Sequence, residues 1–274
     1  MTAHQEALEL PGAHLEVGRM PGHWLLARVG KRVLRPGGLE LTRKMLEGLA
    51  ISSRDHVVEL APGLGATARL VLARGPASYV GIERDDAAVR ATARVLRAGG
   101  ASCRQGVASE TGLDAGAATV VLGEAMLTMQ TVDQKRAIAR EAHRVLRPGG
   151  RYGIHELALV PDDLSERERT EIRQALSDAI HVGTRPLTVS EWRQLLESEG
   201  FAVISSTTAP MHLLEPGRLL ADEGVVGTLR IIANIVRTPA ARRRVRAMRS
   251  VFRRYASKIC AVVLVARRRS DGDG

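Results

Sequence analysis

The sequence has few aromatic residues, two cysteines and four lysines. Aromatic residues make up 3% of its 274 positions, so the core must consist mainly of Leu, Val, Ile and Ala. Cys103 and Cys260 belong to no C-x-x-C or H-x-x-x-H pair, which predicts two buried free thiols and no metal site. No run approaches the roughly 20 apolar residues that span a bilayer, and the N-terminus lacks the order of a signal peptide. We therefore expect a cytoplasmic protein.

Arginine supplies nearly all of the positive charge. The chain has 40 Lys and Arg against 30 Asp and Glu, a net charge of +10. The densest basic run is 241–258, where Val245, Met248 and Phe252 recur at helical spacing and predict an amphipathic helix with a basic outer face. We interpret this face as solvated. Contact with an anionic substrate, a membrane surface or RNA remains the alternative.

Strands and helices alternate through the first half of the chain, which favours a parallel sheet covered on both faces. A fully apolar C-terminal strand suits antiparallel insertion into the same sheet. Strands are predicted at 56–60, 78–83, 101–106, 118–123, 151–157, 201–210 and 259–268. Helices are predicted at 21–35, 39–50, 66–74, 85–97, 133–146, 164–180, 187–200, 216–237 and 239–256. The predicted fold is a doubly wound α/β sheet of seven mostly parallel strands, Rossmann-like, with a helical cap.

A glycine-rich turn follows the first strand in "HVVELAPGLGATA". It reads G-x-G-x-x-A from Gly63 to Ala68, and Glu83 stands twenty positions beyond Gly63, as in dinucleotide-binding loops. Such a turn presents free N–H groups at a helix N-terminus. Glu59, however, precedes the turn, and a carboxylate there would repel a pyrophosphate. It suits a cationic ligand such as the ammonium and sulfonium of S-adenosylmethionine, which disfavours NAD.

Three motifs in order carry a resemblance to the class I S-adenosylmethionine-dependent methyltransferases. The first is the acidic residue and glycine turn at 59–65, the second is "GIERDD" (81–86), and the third is "LRPGG" (146–150) before the fifth strand. Ala61 departs from the family's usual first glycine. We expect a negative φ at Ala61, which Pro62 would encourage.

The resemblance implies a role for each matched residue in binding S-adenosylmethionine. Glu59 would lie by the ammonium, the turn by the methionine portion, and Glu83 by both ribose hydroxyls. Arg84 would lie against the adenine. Val107 replaces the family's frequent adenine-binding aspartate, which leaves backbone, apolar contacts or Ser109 for that task. The implied cofactor-binding residues are Glu59, Ala61, Gly63, Gly65, Glu83, Arg84, Val107, Ala108, Gly123 and Glu124.

The resemblance also implies methyl transfer by in-line displacement, which needs positioning more than acid–base groups. A base helps only where the methyl acceptor carries a proton. Candidates are His155 and Glu156 at the end of the fifth strand, His181 before the 187–200 helix, and His23 on an N-terminal helix that commonly forms a lid. A lone histidine is more often structural than catalytic.

The implied domain organisation is an N-terminal helical lid at 1–50, then a methyltransferase domain at 51–274 with a helical insertion at about 212–256. The insertion is apolar as well as basic, so it would cover a small apolar or aromatic acceptor or form a homo-oligomer interface. The chain is thus similar to quinone, sterol and natural-product methyltransferases acting by O- or C-methylation. The alternative functions are a nucleic-acid methyltransferase and, less favoured, an NAD-dependent oxidoreductase. The sequence is compatible with peripheral contact with a membrane, and it disfavours nucleic acid as a partner.

Overall fold

The computed structural model describes residues 10–12, 14–96 and 99–269. Residues 1–9 and 13 of the predicted lid, residue 97 of a predicted helix and the last five residues of the predicted domain lie outside this part. The strands are β1 (His56–Leu60), β2 (Ser78–Glu83), β3 (Ala101–Gln105), β4 (Ala118–Glu124), β5 (Leu146–Leu159), β6 (Leu187–Thr188), β7 (Phe201–Pro210) and β8 (Ile259–Arg268). The helices are α1 (Gly22–Arg28), α2 (Gly38–Leu49), α3 (Ala66–Leu72), α4 (Asp86–Ala93), α5 (Val132–Val145), α6 (Glu166–Ile180), α7 (Val189–Ser198), α8 (Pro216–Arg237) and α9 (Pro239–Arg254).

The strands form one sheet in the order β3-β2-β1-β4-β5-β8-β7, and the two-residue β6 pairs with β5. The five strands from β3 to β5 run parallel, whereas β8 lies antiparallel between β5 and β7. The predicted doubly wound sheet with an antiparallel last strand is confirmed. The "LRPGG" turn lies within β5, where the register with β4 shifts between Ala118 and Val120.

Alternate residues of the central strands enter separate cores because successive side chains point to opposite faces of a sheet. Val57 and Val120 pack with the buried residues of α2 and α3 on one face. Val58 and Val121, their neighbours in the sequence, pack with α5 and α7 on the other face. Both faces are therefore covered, as parallel strands require.

A third core lies beyond the carboxyl ends of the strands. It joins α1, α6, α8 and α9 to apolar residues such as Leu157, Leu159 and Ile259 at the ends of β5 and β8. We call α8 and α9, which connect β7 to β8, the cap. In contrast, α2 buries Leu41 and Met45 in the core that contains Val57 and Val120, so it belongs to the helices that cover one face of the sheet.

The predicted helix at 21–35 is wrong beyond Arg28. Only Gly22–Arg28 is helical, and Gly30 has a φ of 106°, which a right-handed helix does not accommodate. Residues 31–37 instead form an extended loop, called the 31–37 loop below.

Two acidic residues of α8 fasten the 31–37 loop to the cap. Asp222 accepts the Leu39 amide at the start of α2, at 2.9 Å, and Glu223 accepts the amides of Arg32 and Val33. The ammonium of Lys31 lies 3.8 Å from Asp222 and 3.6 Å from Glu223, and all three side chains are buried. Burial lowers the pKa of Lys31, although Glu223 and Asp222 oppose this effect.

Replacing Lys31 by Met should therefore destabilise the fold strongly. Two buried carboxylates would lose their counter-charge, and breaking such an arrangement typically costs about 3–5 kcal/mol. The matched control is Lys44→Met, because Lys44 forms an exposed pair with Glu40 at 3.9 Å and should cost no more than about 0.5 kcal/mol. Urea unfolding of both variants measures the loss in free energy of unfolding. Equal losses would show that the buried cluster of Lys31, Asp222 and Glu223 stabilises the fold no more than the exposed pair does.

Candidate active site

A cavity of about 860 Å³ opens at the carboxyl ends of β1, β2 and β4, where ligands bind in open α/β sheets. The glycine turn forms one wall, and the 31–37 loop with α1 forms another. Side chains of α6 and α9 close the far end with Leu176, Met248 and Phe252. One half of the cavity is therefore polar and backed by strand ends, and the other half is apolar and backed by the cap core.

The two glycines of the turn serve different purposes. Gly63 has a φ of 59°, and a Cβ added there would meet nothing within 4 Å, because it faces the cavity. Gly65 has a φ of 72° at the N-terminus of α3, and an added Cβ would lie 2.5 Å from Cγ2 of Val95. Gly63 thus leaves space for a ligand beside the backbone, whereas Gly65 lets α3 pack against the chain after α4.

The expectation of a negative φ at Ala61 is wrong. Ala61 has a φ of 54°, in the left-handed region, and its amide donates to the carbonyl of Ile82 at 2.8 Å. The backbone must turn sharply at the end of β1 while keeping this bond to β2, and Pro62 does not prevent that conformation. A residue other than glycine in this region costs roughly 1–2 kcal/mol. The alanine fits the position only at the cost of strain.

Glu83 ends β2 and holds the glycine turn in place. Its Oε2 accepts the Gly63 amide at 3.0 Å, and its Oε1 accepts the amides of Arg84 and Asp85 at 2.8 and 3.1 Å. Asp85 itself caps α4 by accepting the Ala88 amide at 3.0 Å, so Glu83 is not needed as the cap. Glu83 lines the cavity, and its Oε2, which accepts a single amide, retains a further lone-pair direction for a ligand hydroxyl.

Glu59 lies in the cavity wall and is 3% exposed. The hydroxyl of Tyr79 donates to its Oε2 at 2.7 Å. Burial raises the pKa of Glu59 to about 8, with the Tyr79 hydrogen bond acting against the increase, and the nearby carboxylate of Glu124 raises it further. The carboxyl is therefore largely protonated at neutral pH until a cation approaches it.

Glu124, at the end of β4, brings four parts of the chain together. Thr42 of α2 and His155 Nδ1 of β5 each donate to its Oε1 at 2.7 Å, and Thr67 of α3 donates to Oε2. Arg35 Nη1 of the 31–37 loop lies 3.1 Å from Oε2. Burial disfavours the charged form, but Arg35 and His155 outweigh it and lower the pKa of Glu124 to about 2. Glu124 is thus a fixed negative charge already balanced by Arg35.

Arg35 lines the cavity and carries an unpartnered guanidinium edge. Its Nη1 faces Glu124, whereas its buried Nε and Nη2 have no hydrogen-bond partner among the described residues. Nε and Nη2 form the side of a guanidinium that binds a carboxylate through two parallel hydrogen bonds. Sequence reasoning missed Arg35 because the pattern around it resembled a helix. Its only sequence signal was an arginine beside the Pro36–Gly38 break.

The remaining predicted cofactor residues are divided between the cavity wall and the layer behind it. Arg84, Val107 and Ala108 line the cavity beside the glycine turn, and so does Ser109. Gly123 lies behind the wall, where an added Cβ would stand 3.6 Å from Leu60. The side chains available near Glu83 for an adenine ring are thus a guanidinium and small apolar groups.

Of the four predicted catalytic residues, His23 is the one that lines the cavity. Its imidazole packs against Trp24 at an interplanar angle of 59°, with ring centroids 4.5 Å apart. Burial lowers the pKa of His23 to about 4, opposed by the charge of Asp85. His155 is fully buried behind Glu124, with Nε2 unpartnered among the described residues. His181 is an exposed left-handed residue after α6, and it does not reach the cavity.

Glu156 has a structural position. Successive strand residues face opposite ways, so Glu156 points away from the side on which His155 meets Glu124. It is fully buried and accepts the amides of Met126, Leu127 and Thr128 at 2.8–3.0 Å. Burial raises the pKa of Glu156 and these hydrogen bonds lower it. It shapes the turn after β4, whose Met126 and Thr128 line the cavity.

These features define an α/β protein that binds a nucleoside-containing cofactor at the ends of β1 and β2. The family profile described as "Methyltransferase domain" matches residues 58–154. An uncharacterized protein of Haemophilus influenzae is 31% identical over 220 residues, which cover 79% of this chain and 86% of that protein. An uncharacterized methyltransferase of Synechocystis is 33% identical over 137 residues, 49% of this chain and 63% of that one.

A solved structure of Haemonchus contortus phosphoethanolamine N-methyltransferase 2, in complex with S-adenosylhomocysteine, superposes with a TM-score of 0.68. It is 14% identical, and the match covers 91% of this chain and 57% of that protein. The chain belongs to the class I S-adenosylmethionine-dependent methyltransferases, and S-adenosylmethionine is its cofactor. The open face of Gly63, the buried acid Glu59 and the unpartnered edge of Arg35 fit a ligand carrying a nucleoside, an ammonium and a carboxylate.

If Glu59 receives the cofactor's ammonium, binding of S-adenosylhomocysteine at pH 7 should release about one proton. The pKa of Glu59 is raised in the free protein and should fall beside the cation, so affinity should rise as the pH increases towards about 8 and level off above it. Calorimetric titration in buffers of different ionisation enthalpy measures the release. Glu59→Gln should abolish it, and Glu110→Gln, an exposed control, should not. Unchanged release from Glu59→Gln would assign the proton to another group.

Proposed function

We propose that this protein transfers a methyl group from S-adenosylmethionine to a small apolar or aromatic metabolite bound under the cap. The observation that supports the proposal best is the division of one cavity into a polar cofactor half and an apolar half. S-adenosylmethionine supplies an electrophilic methyl group on a sulfonium. The protein then has to hold the acceptor atom in line with that methyl and exclude water, which can contribute roughly 7–11 kcal/mol.

Four groups would hold the cofactor. Glu83 would accept hydrogen bonds from the ribose hydroxyls, and Glu59 would pair with the ammonium. Arg35 would bind the carboxylate through Nε and Nη2, the two atoms left free by Glu124. These charges complement a zwitterion, because an acid, Glu59, and a base, Arg35, both line the cavity. Arg84 would cover the adenine.

The acceptor would occupy the apolar half. This part of the cavity lies between the sheet and the helices α1, α6 and α9, and its buried lining contains no acidic side chain. Aliphatic and thioether side chains dominate it, which suits a hydrophobic ring or chain rather than a nucleotide or a peptide. Its members are Leu26, Leu157, Leu176, Ile180, Met211, Leu213, Met248 and Phe252.

His23 would orient the acceptor at the boundary of the two halves. With a pKa of about 4 its imidazole is neutral at pH 7, so it can accept a hydrogen bond from a hydroxyl or an acidic carbon. The same low pKa makes it a weak base. The acceptor proton would therefore leave late, after the methyl has begun to transfer, or directly to water at the cavity mouth. His155 would act only through Glu124.

The test is a thermal shift with S-adenosylhomocysteine followed by an acceptor screen. The ligand should raise the melting temperature of the wild type. Glu83→Ala should weaken binding at least about tenfold, because each hydrogen bond to the carboxylate contributes about 1.5–3 kcal/mol. Asp86→Ala is the control. Asp86 follows Glu83 by three residues, and its exposed side chain pairs with Arg90. Phenolic, quinone and lipid acceptors are then compared by release of S-adenosylhomocysteine.

Three results would contradict the proposal. The first is an unchanged melting curve for the wild type at millimolar S-adenosylhomocysteine. The second is energy transfer from the protein to bound NADH, which would indicate an oxidoreductase. The third is a mobility shift with RNA at physiological salt together with methylation of that RNA, which would make nucleic acid the acceptor.

A further inference from the structure

The outer face of α8 carries an apolar stripe whose side chains are about half exposed or more. Val225, Leu229, Ile232 and Val236 follow one another at spacings of four, three and four residues, so they lie on one side of the helix. They are 48–63% exposed, and Val226 beside them is 71% exposed. We call these five residues the α8 stripe. A face of this kind is unusual in a protein whose other helices bury their apolar sides.

Elsewhere in the described residues, exposed large apolar side chains are scattered. Val107 borders the cavity, Val132 begins α5 and Ile204 lies on β7, each 43–52% exposed. Single exposed residues of this kind need no explanation, whereas a contiguous patch marks an interaction surface. Leu220, before the break in α8 at Gly224, extends the patch towards the 31–37 loop.

The surroundings of the stripe are strongly positive. Residues 225–254 contain nine arginines and no acidic residue. Four of the nine are engaged: Arg244 donates to backbone carbonyls, Arg249 and Arg253 pair with Glu215, and Arg254 pairs with Glu171. The other five form no ion pair within the described residues. They are Arg230, Arg237, Arg242, Arg243 and Arg246.

Arg230 and Arg237 are placed to act together with the stripe. They are exposed and seven residues apart, so they follow the same flank of α8, about a third of a turn from the centre of the stripe. A helix with an apolar face and arginines along its flank lies in the plane of a lipid surface, with its apolar side chains among the acyl chains and its cations at anionic headgroups. No described helix is long and apolar enough to cross a membrane, so the contact would be with one surface.

We propose that the α8 stripe docks on an anionic lipid surface. A second copy of the chain fits less well, because pairing two stripes would bring the unpaired arginines together. The five side chains are also far fewer than the roughly 20–30 residues that each partner contributes to a standard interface. A nucleic acid would engage the arginines but leave the stripe in water. The lipid surface alone satisfies both features.

Docking at the α8 stripe would bring the catalytic cavity close to the lipid. The first turns of α8 hold the 31–37 loop through Asp222 and Glu223, and this loop carries the cavity residue Arg35. An apolar acceptor dissolved in the membrane would then be concentrated at the surface on which the protein docks. This consequence rests on the proposed function, whereas the docking itself does not.

Sedimentation of the full chain with vesicles tests the proposal without cofactor or acceptor. The protein should bind vesicles of phosphatidylcholine that contain phosphatidylglycerol, bind pure phosphatidylcholine weakly, and lose binding as salt increases. Leu229→Asn with Ile232→Asn should reduce binding at least about tenfold through lost apolar burial. Arg230→Gln with Arg237→Gln should reduce it by a similar factor. Val132→Asn with Ile204→Asn is the control and should bind like the wild type.

The melting temperature in the presence of S-adenosylhomocysteine shows that each variant is folded and keeps its cofactor site. The proposal is overturned if the wild type ignores anionic vesicles, or if the stripe and control variants bind them equally. It is also overturned if light scattering shows a dimer that Leu229→Asn with Ile232→Asn dissociates, or if RNA binds in preference to vesicles. A failure of methyl transfer with intact vesicle binding would reject the proposed function and leave the docking site standing.

Discussion

The carboxylate of Glu124 is the point at which the N-terminal part of the chain is fastened to the sheet. It receives Arg35 from the 31–37 loop, Thr42 from α2, Thr67 from α3 and His155 from β5. Without this charge, Arg35 would be a buried cation with no counter-ion, and the loop that walls the cavity would have no polar tie to the strand ends. Glu124, which also lines the cavity, therefore holds this wall in place together with Asp222 and Glu223 of α8.

The cavity is completed by residues that compensate one another across its width. Glu59 is protonated until a cation arrives, Glu83 is held by three amides, and Arg35 is neutralised on one side only. Arg35 and Glu124 thus balance each other before binding, and the guanidinium of Arg35 keeps unused hydrogen-bonding capacity. Such preorganisation reduces the cost of ordering the site when a ligand enters. The apolar half needs no comparable balance because it contains no charge.

Most of the sheet could be predicted from the sequence because the central strands β1, β2 and β4 are short apolar runs bounded by turn signals. Glu59, Gly63 and Glu83 could be located for the same reason, since they stand within one strand–turn–helix–strand segment. Arg35 could not, because its partner Glu124 is 89 positions away and only the tertiary fold joins them. His155 and Glu156 were expected at the end of the fifth strand, whereas β5 continues to Leu159, and the sequence contained no information about which face each residue takes. The positive φ of Ala61 follows from the hydrogen bond to β2, which is likewise absent from the sequence.

The most direct test of this account is a crystal structure of the protein with S-adenosylhomocysteine. We expect the carboxylate of the ligand within about 2.7–2.9 Å of Nε and Nη2 of Arg35, the ammonium at Glu59, and the ribose hydroxyls at Glu83. Arg35 should keep its contact with Glu124, so that the guanidinium lies between two carboxylates. A ligand whose carboxylate points elsewhere, with the edge of Arg35 still unpartnered, would contradict the account.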